Sequence, residues 1–255
     1  MTKSVKVLII INIAIFFLAN ILPGFGWARL FGLVPAVVFS HLRLWQIVTY
    51  MFLHIGLWHL VLNMLMLWFF GPAIETAWGR QRFVAYYLFT GIVAGFCSFL
   101  VSPGSYIPVI GASGAIFGLL TAYAFMFPEA TVVLFFIFPM KMHQAVFILA
   151  GINLLGAVSN SGSGIAYIAH LGGALAGYLY MKNQRLRDFV CFFCPQALGE
   201  HYAQVQRRKK GRDTANLNKE VDRILDKISK QGIDSLSRGE RIILERKSRD
   251  SFREK

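Results

Sequence analysis

Six apolar stretches, each about the length of a membrane-crossing helix, fill most of the first 181 residues and restrict the folds open to this chain. They fall at roughly 5–22, 57–74, 82–101, 111–127, 143–159 and 164–181, close to the ~20 residues that cover ~30 Å of hydrocarbon at 1.5 Å per residue. Residues 1–181 carry seven bases (Lys3, Lys6, Arg29, Arg43, Arg80, Arg82, Lys141) and two acids (Glu75, Glu129). A soluble domain of this length would carry more charge and fewer apolar runs. The remaining 19 of 26 Lys/Arg and 11 of 13 Asp/Glu lie in 182–255, so the net charge of +13 belongs to a solvated tail. Acids interspersed with those bases argue against a nucleic-acid partner. Bases beside membrane spans instead mark a cytoplasmic face. The fold class expected is all-α: a polytopic bundle of six transmembrane helices with a short helical tail.

Topology follows from the charges. Lys3 and Lys6 precede the first run, but that run is long and no small-x-small cleavage site closes it. It is therefore expected to be an uncleaved first span rather than a signal peptide. A cytoplasmic tail after six spans puts the N-terminus on the same side, together with Arg80 and Arg82 between spans two and three. Arg29 and Arg43 fall outside, in a long 23–56 connection rich in Trp27, Phe31, Phe39, Trp45 and Phe52 that is expected in the membrane interface. The apolar segment 128–142 has no clear assignment.

Polar residues placed on this map converge. His59 and Asn63 lie near the outer start of span two, and Ser113 near the outer start of span four. His170 lies about 9 Å into span six at 1.5 Å per residue. An ionisable side chain within a hydrophobic span is costly and suggests function. A hydroxyl with an imidazole is the minimum equipment for nucleophilic catalysis. Gly173 and Gly177 beside His170, and the pairs Gly111/Ala115 and Gly114/Gly118 around Ser113, are small residues that let spans four and six approach closely.

Three separated motifs carry a family resemblance: His59-Leu60-Val61-Leu62-Asn63, Gly111-Ala112-Ser113-Gly114 and Ala169-His170-Leu171-Gly172-Gly173. Over roughly residues 5–182 the chain resembles the rhomboid intramembrane serine proteases, with the motifs in that family's order on spans two, four and six. The resemblance implies a serine endopeptidase that cleaves transmembrane substrates near the outer membrane face through an acyl-enzyme. It makes Ser113 the nucleophile and His170 the general base, a dyad with no acidic third member; Glu75 and Glu129 both map to the inner side. Phe117, one turn after Ser113, can stack on the His170 ring where many relatives have Tyr. His59 and Asn63 can donate to a developing oxyanion beside the Ser113 amide, with Gly111 next to them in the substrate-binding part of the site.

Structural readings stand beside these. A membrane serine more commonly serves helix packing, and a membrane histidine can simply bond a carbonyl; three motifs in order argue against both. For His59 and Asn63 an interhelical hydrogen-bond clamp is an alternative compatible with catalysis. His54 is evenly balanced between a water-holding and a structural role, while His41 and His143 read as interfacial. Cys97, Cys191 and Cys194 give no disulfide framework. Cys191-Phe-Phe-Cys194 has metal-type spacing but only His201 nearby, so no metal is expected, and no cofactor is implied. A non-catalytic client-binding relative would typically lack the Ser or the His, and no internal repeat suggests a transporter.

Two features depart from the family pattern. Trp45-Gln46 stands where Trp-Arg is usual in the first external loop, with Arg43 just upstream. The tail adds an amphipathic helix carrying Leu217, Val221, Ile224, Leu225 and Ile228, ended by Gly232, and then Ser237-x-x-Glu240 as a capping box for a second helix through about Arg249. The expected organisation is a six-helix protease domain over 1–182, a basic juxtamembrane linker over 183–216 that is flexible at 203–216, and a small helical cytoplasmic tail over 217–255. The partners implied are single-span membrane proteins and the lipid bilayer. The location implied is the inner or plasma membrane, with both termini cytoplasmic.

Overall fold

The computed structural model describes residues 1–38, 40–134, 137–159, 164–192 and 221–230, with positions 232, 236, 237, 239, 240 and 244. Cys194, His201, the 203–216 linker and most of the second tail helix lie outside these. Contacts divide the chain into two units, Met1–Pro195 and Gln196–Lys255.

In the first unit the chain runs α1 (Lys3–Ile21), α2 (Trp27–Phe31), α3 (Pro35–Val38), α4 (Gln46–Thr49), α5 (Leu57–Trp78), α6 (Arg80–Val101), α7 (Ser113–Met126), β1 (Thr131–Leu134), β2 (Phe138–Lys141), α8 (Met142–Ser159), α9 (Gly164–Lys182) and α10 (Gln184–Phe192). All six expected spans are helices. Among the described residues α1, α5, α6 and α8 are long and apolar enough to cross a membrane. α7 has 14 residues, which at 1.5 Å each gives about 21 Å, short of a ~30 Å hydrocarbon layer. Its first residue is Ser113.

Helix α7 is the hub, packed against α5, α6, α8 and α9. Missing side chains permit this. A Cβ on Gly173 would fall 1.9 Å from the Gly114 carbonyl oxygen, and one on Gly118 would meet Thr90 Cβ at 2.5 Å. Without a hydrophobic driving force in lipid, such backbone approach is what holds helices together. Tyr86, fully buried, crosses from α6 and donates its hydroxyl to the Gly118 carbonyl at 2.6 Å. In contrast, α8 buries only Met142, Ala145 and Asn153 and stands at the periphery.

One end of the bundle ties α1 to α5. Glu75 accepts from Thr2 Oγ1 at 2.5 Å and from the Ser4 and Val5 amides at 3.0 and 3.1 Å. It thereby fills the free donors of the first turn of α1 with a carboxylate, the charge that a helix N-terminus favours. Within 128–142, unassigned from sequence, β1 and β2 pair antiparallel with Thr131 opposite Lys141, and Lys141 pairs with Glu129 at 2.5 Å.

The connection before α5 is built around Gln46, which is fully buried. Its amide nitrogen donates to the Arg29 carbonyl at 2.9 Å and its oxygen accepts from the Val34 amide at 3.1 Å. Gln46 therefore braces the loop from within, while the adjacent Trp45 is half-exposed and donates to the Leu30 carbonyl at 2.8 Å.

The first ten residues of the expected linker are not all extended chain: Gln184–Phe192 is helical. Asn183 Oδ1 caps it by accepting from the Leu186 amide at 3.2 Å, and Arg187 donates to the Met181 carbonyl at the end of α9 at 2.5 Å. In the second unit, residues 221–230 are helical with Ile224 buried. Both bonds of the capping box are present, Glu240 N–H to Ser237 Oγ at 3.3 Å and Ser237 N–H to Glu240 Oε2 at 2.7 Å.

Candidate active site

Ser113 opens α7. Its amide and those of Gly114 and Ala115 have no acceptor within the helix, because the first intrahelical bond here runs from Ile116 N–H to the Ala112 carbonyl. The preceding turn is fixed by Gly111, whose φ of +126° suits glycine alone. The Gly111 amide donates to the Tyr50 carbonyl at 2.9 Å, and the buried Tyr50 hydroxyl donates to the Gly91 carbonyl at 2.6 Å. Leu33 and Val109 exchange two main-chain bonds, so the loop before Ser113 is strapped to the Gln46-braced connection.

His170 reaches Ser113 from α9. Its Nε2 lies 2.7 Å from Ser113 Oγ. The Phe117 ring stacks on the imidazole at 4.6 Å between centroids and 5° between planes. Its other nitrogen, Nδ1, lies 2.6 Å from Asn153 Oδ1 on α8. Asn153 Nδ2 donates to the Leu149 carbonyl at 2.7 Å, which leaves the amide oxygen as the atom facing His170. The imidazole must then carry its proton on Nδ1, and the Nε2 lone pair faces the serine hydroxyl. That is the base-competent tautomer.

His59 is brought to the same place. A Cβ built on Gly111 would lie 2.7 Å from the His59 ring and 3.6 Å from Ser113 Oγ, so imidazole and hydroxyl flank one backbone position. Asn63 is buried one turn on, but its amide nitrogen donates to the His59 carbonyl at 2.7 Å. One of its two amide N–H donors is thus engaged by its own helix, and the second is left for another acceptor. His54 packs edge-on against His59 at 4.9 Å. Burial pushes its pKa down to about 4, with the His59 ring adding to the effect, so it is neutral.

Sequence reasoning missed Asn153 and Tyr50. Asn153 carried a signal, an amide inside an otherwise apolar span. Tyr50 acts through its backbone carbonyl, which no side-chain pattern reports. Among the described residues no cluster of three His, Cys, Asp or Glu could hold a metal ion.

A helical bundle with four described membrane-length helices, a hydroxyl and an imidazole in hydrogen-bond contact and an adjoining second histidine defines a polytopic membrane protein with a hydrolase-type site. The rhomboid-domain family model matches residues 41–183, and a family of unknown function matches residues 211–250 in the tail. The chain belongs to the rhomboid family, a family of intramembrane serine proteases. It is 34% identical over 148 residues to the mitochondrial Rhomboid protein 1 of Saccharomyces cerevisiae, covering 56% of this chain and 38% of that protein. Identity is also 34% over 123 residues to the human mitochondrial presenilin-associated rhomboid-like protein, covering 47% and 32%. The rhomboid YdcA of Bacillus subtilis matches at 34% over 135 residues, covering 53% and 64%. The chain thus spans about a third of the mitochondrial relatives' length and under two-thirds of the bacterial one.

Proposed function

We propose that this protein is an intramembrane serine endopeptidase that cleaves single-span membrane proteins near the outer membrane face with Ser113 as nucleophile and His170 as general base. The observation that carries the reading is the 2.7 Å contact between Ser113 Oγ and His170 Nε2, with Nδ1 held by Asn153. Ser113 Oγ attacks the scissile carbonyl as its proton passes to Nε2. The negative oxygen that forms is met by first-turn amides of α7 and by His59. The C–N bond breaks, the amine takes the proton from Nε2, and the acyl chain remains as an ester on Ser113. Water gives its proton to Nε2, attacks the ester, and releases a carboxylic acid and the serine hydroxyl.

Each oxyanion donor is worth ~10²–10³ in rate where water is scarce. A helical substrate has its carbonyls engaged, so a bond must leave the helix before Ser113 can reach it. Small or helix-breaking residues near the outer end of the substrate span therefore favour cleavage. On this reading residues 1–182 form the protease body, 183–216 the juxtamembrane connection and 217–255 the tail. Both termini lie in the cytoplasm, with the body in the inner or plasma membrane.

The test is cleavage of a single-span reporter by purified protein in lipid, beside Ser113→Ala and His170→Ala. Loss of cleavage in both variants, with helicity retained, supports the dyad; activity persisting in Ser113→Ala overturns it. A fluorophosphonate probe that labels Ser113 separates narrow substrate choice from a non-catalytic, client-binding protein.

A further inference from the structure

One helical turn beyond the Ser113–His170–Asn153 constellation, the same three helices diverge around an apolar cavity of about 590 Å³. Thr121 and Phe125 line it from α7, Phe147 and Ala150 from α8, and Ala174 and Tyr178 from α9. Each helix links the cavity directly to the site: Phe117 precedes Thr121, Ala150 precedes Asn153 and His170 precedes Ala174 by one turn. Its volume lies within the ~300–1,000 Å³ typical of ligand cavities.

The lining makes few polar demands. Thr121 Oγ1 is bonded to the Phe117 carbonyl at 2.9 Å and His143 Nδ1 to the Pro128 carbonyl at 2.9 Å. Such a space stays free of water, and left empty it forfeits dispersion contacts along its whole wall. It opens sideways, since Phe147 is 76% and Tyr178 47% exposed on the face that apolar α8 and α9 present to the bilayer.

Charge marks one end of the opening. Lys182, in the last turn of α9, places its ammonium 5.4 Å from the centroid of the lining ring of Phe125. It has no carboxylate partner among the described residues; Glu129, which follows α7, is held by Lys141 at 2.5 Å. An apolar slot in the hydrocarbon layer that ends beside a lysine with no carboxylate partner among the described residues matches one chemistry, an acyl chain with an anionic head.

We propose that the α7–α8–α9 cavity binds an acyl chain of an anionic phospholipid whose headgroup meets Lys182. The occupant has a consequence for the site. α8 is held by few buried residues, and it carries the Asn153 amide that orients His170. A chain filling the slot props α8 at the separation where Asn153 and His170 are bonded. This regulatory consequence rests on the proteolytic reading, whereas the binding does not.

The experiment uses the full chain in nanodiscs doped with phosphatidylglycerol or phosphatidylcholine bearing a diazirine on one acyl chain. After irradiation, adducts are mapped by peptide mass spectrometry. Adducts are expected to concentrate at the cavity-facing residues of α7, α8 and α9. Phosphatidylglycerol should exceed phosphatidylcholine about fivefold, the preference one lysine confers near anionic lipid. Lys182→Gln should remove that preference, and Ala174→Phe or Ala150→Phe should remove the cavity adducts, with helicity and thermal unfolding reporting the fold of each. Label spread evenly over lipid-facing Leu154, Leu155 and Val158 without excess in the cavity overturns the proposal. Equal labelling by the two lipids overturns the anionic head. Binding with neither reporter cleavage nor fluorophosphonate labelling of Ser113 would overturn the proteolytic reading and leave the lipid site standing.

Discussion

Asn153 presents its amide oxygen to His170 at 2.6 Å because its amide nitrogen is committed to the Leu149 carbonyl at 2.7 Å. A neutral amide thereby sets the tautomer of the imidazole without placing a charge inside the bundle. Replacing Asn153 by Ala frees the ring to carry its proton on Nε2, the wrong nitrogen for accepting from Ser113. The loss of one hydrogen bond of this kind is worth ~1–1.5 kcal/mol, so fluorophosphonate labelling of Ser113 should slow about tenfold. Helicity and unfolding temperature in lipid should change little, since α8 is peripheral. Labelling at the wild-type rate would show that Phe117 stacking alone orients the ring.

His59 and Asn63 come from one motif, yet the structure separates them. The His59 ring flanks Gly111 beside Ser113, whereas Asn63 ties one of its two amide N–H donors to the His59 carbonyl, which leaves a single donor and a fixed side chain. His59→Ala should therefore lower kcat for reporter cleavage by ~10² with little change in KM, the signature of a donor felt in the transition state. Asn63→Ala should act mainly through the position of His59 and cost less. Equal losses in kcat would return Asn63 to the oxyanion.

Much of this was legible because apolar spans and polar side chains within them leave local marks. The six apolar runs follow from hydrophobicity, and the resemblance to a known family pointed to the Ser113–His170 contact and the Phe117 stack that the structure contains. What sequence does not carry is pairing across the bundle. Asn153 needed the register of α8 against α9, and Tyr50 acts by a main-chain carbonyl. Gln46 showed in the sequence only as a departure from the usual Trp-Arg, and its burial could not be read there, because a loop's inside is decided by which carbonyls surround it. The pairing of β1 with β2 was hidden by an apolar composition that helix and strand share.

The approach of α7 and α9 rests on Gly173. A Cβ there would sit 1.9 Å from the Gly114 carbonyl oxygen, and main chain cannot rotate aside. Gly173→Ala should force the helices apart, costing ~1–3 kcal/mol of stability as overpacking does, and should stretch the Ser113–His170 contact. Both a lower unfolding temperature and slower Ser113 labelling are expected. Gly151→Ala on α8, where nothing lies within 4 Å, is the control. It should be neutral or slightly stabilising, since alanine is the better helix former. Equal behaviour of the two variants would refute close packing at Gly173.

Gln46 should matter for stability more than its neighbour. It is fully buried, and Gln46→Ala would orphan the buried Val34 N–H and leave the Arg29 carbonyl only its longer bond from Arg43. Each buried group left unpaired costs ~1–3 kcal/mol, so a loss of ~2 kcal/mol or more is expected in thermal unfolding. Trp45→Phe removes one bond at a half-exposed position and should cost ~1 kcal/mol or less. The reverse order would mean that the loop is held from its lipid side.

The tail offers a pH test independent of the membrane site. Glu240 is bonded to Lys227 at 2.9 Å and accepts from the Ser237 amide at 2.7 Å. The Lys227 hydrogen bond, followed by that amide, holds its pKa down at about 2, against an ordinary value of 4.5. A carboxylate whose folded pKa lies below its unfolded one contributes stability fully present above the unfolded value. That contribution drains away as pH falls from about 4.5 toward 2. The Ser237 amide resonance of the full chain, followed by NMR from neutral to acid, should therefore shift only in that window. Glu240→Gln keeps a weaker capping acceptor but no charge, and should flatten the titration. A midpoint at the ordinary carboxylate value would mean that Lys227 and Ser237 do not hold Glu240 in solution.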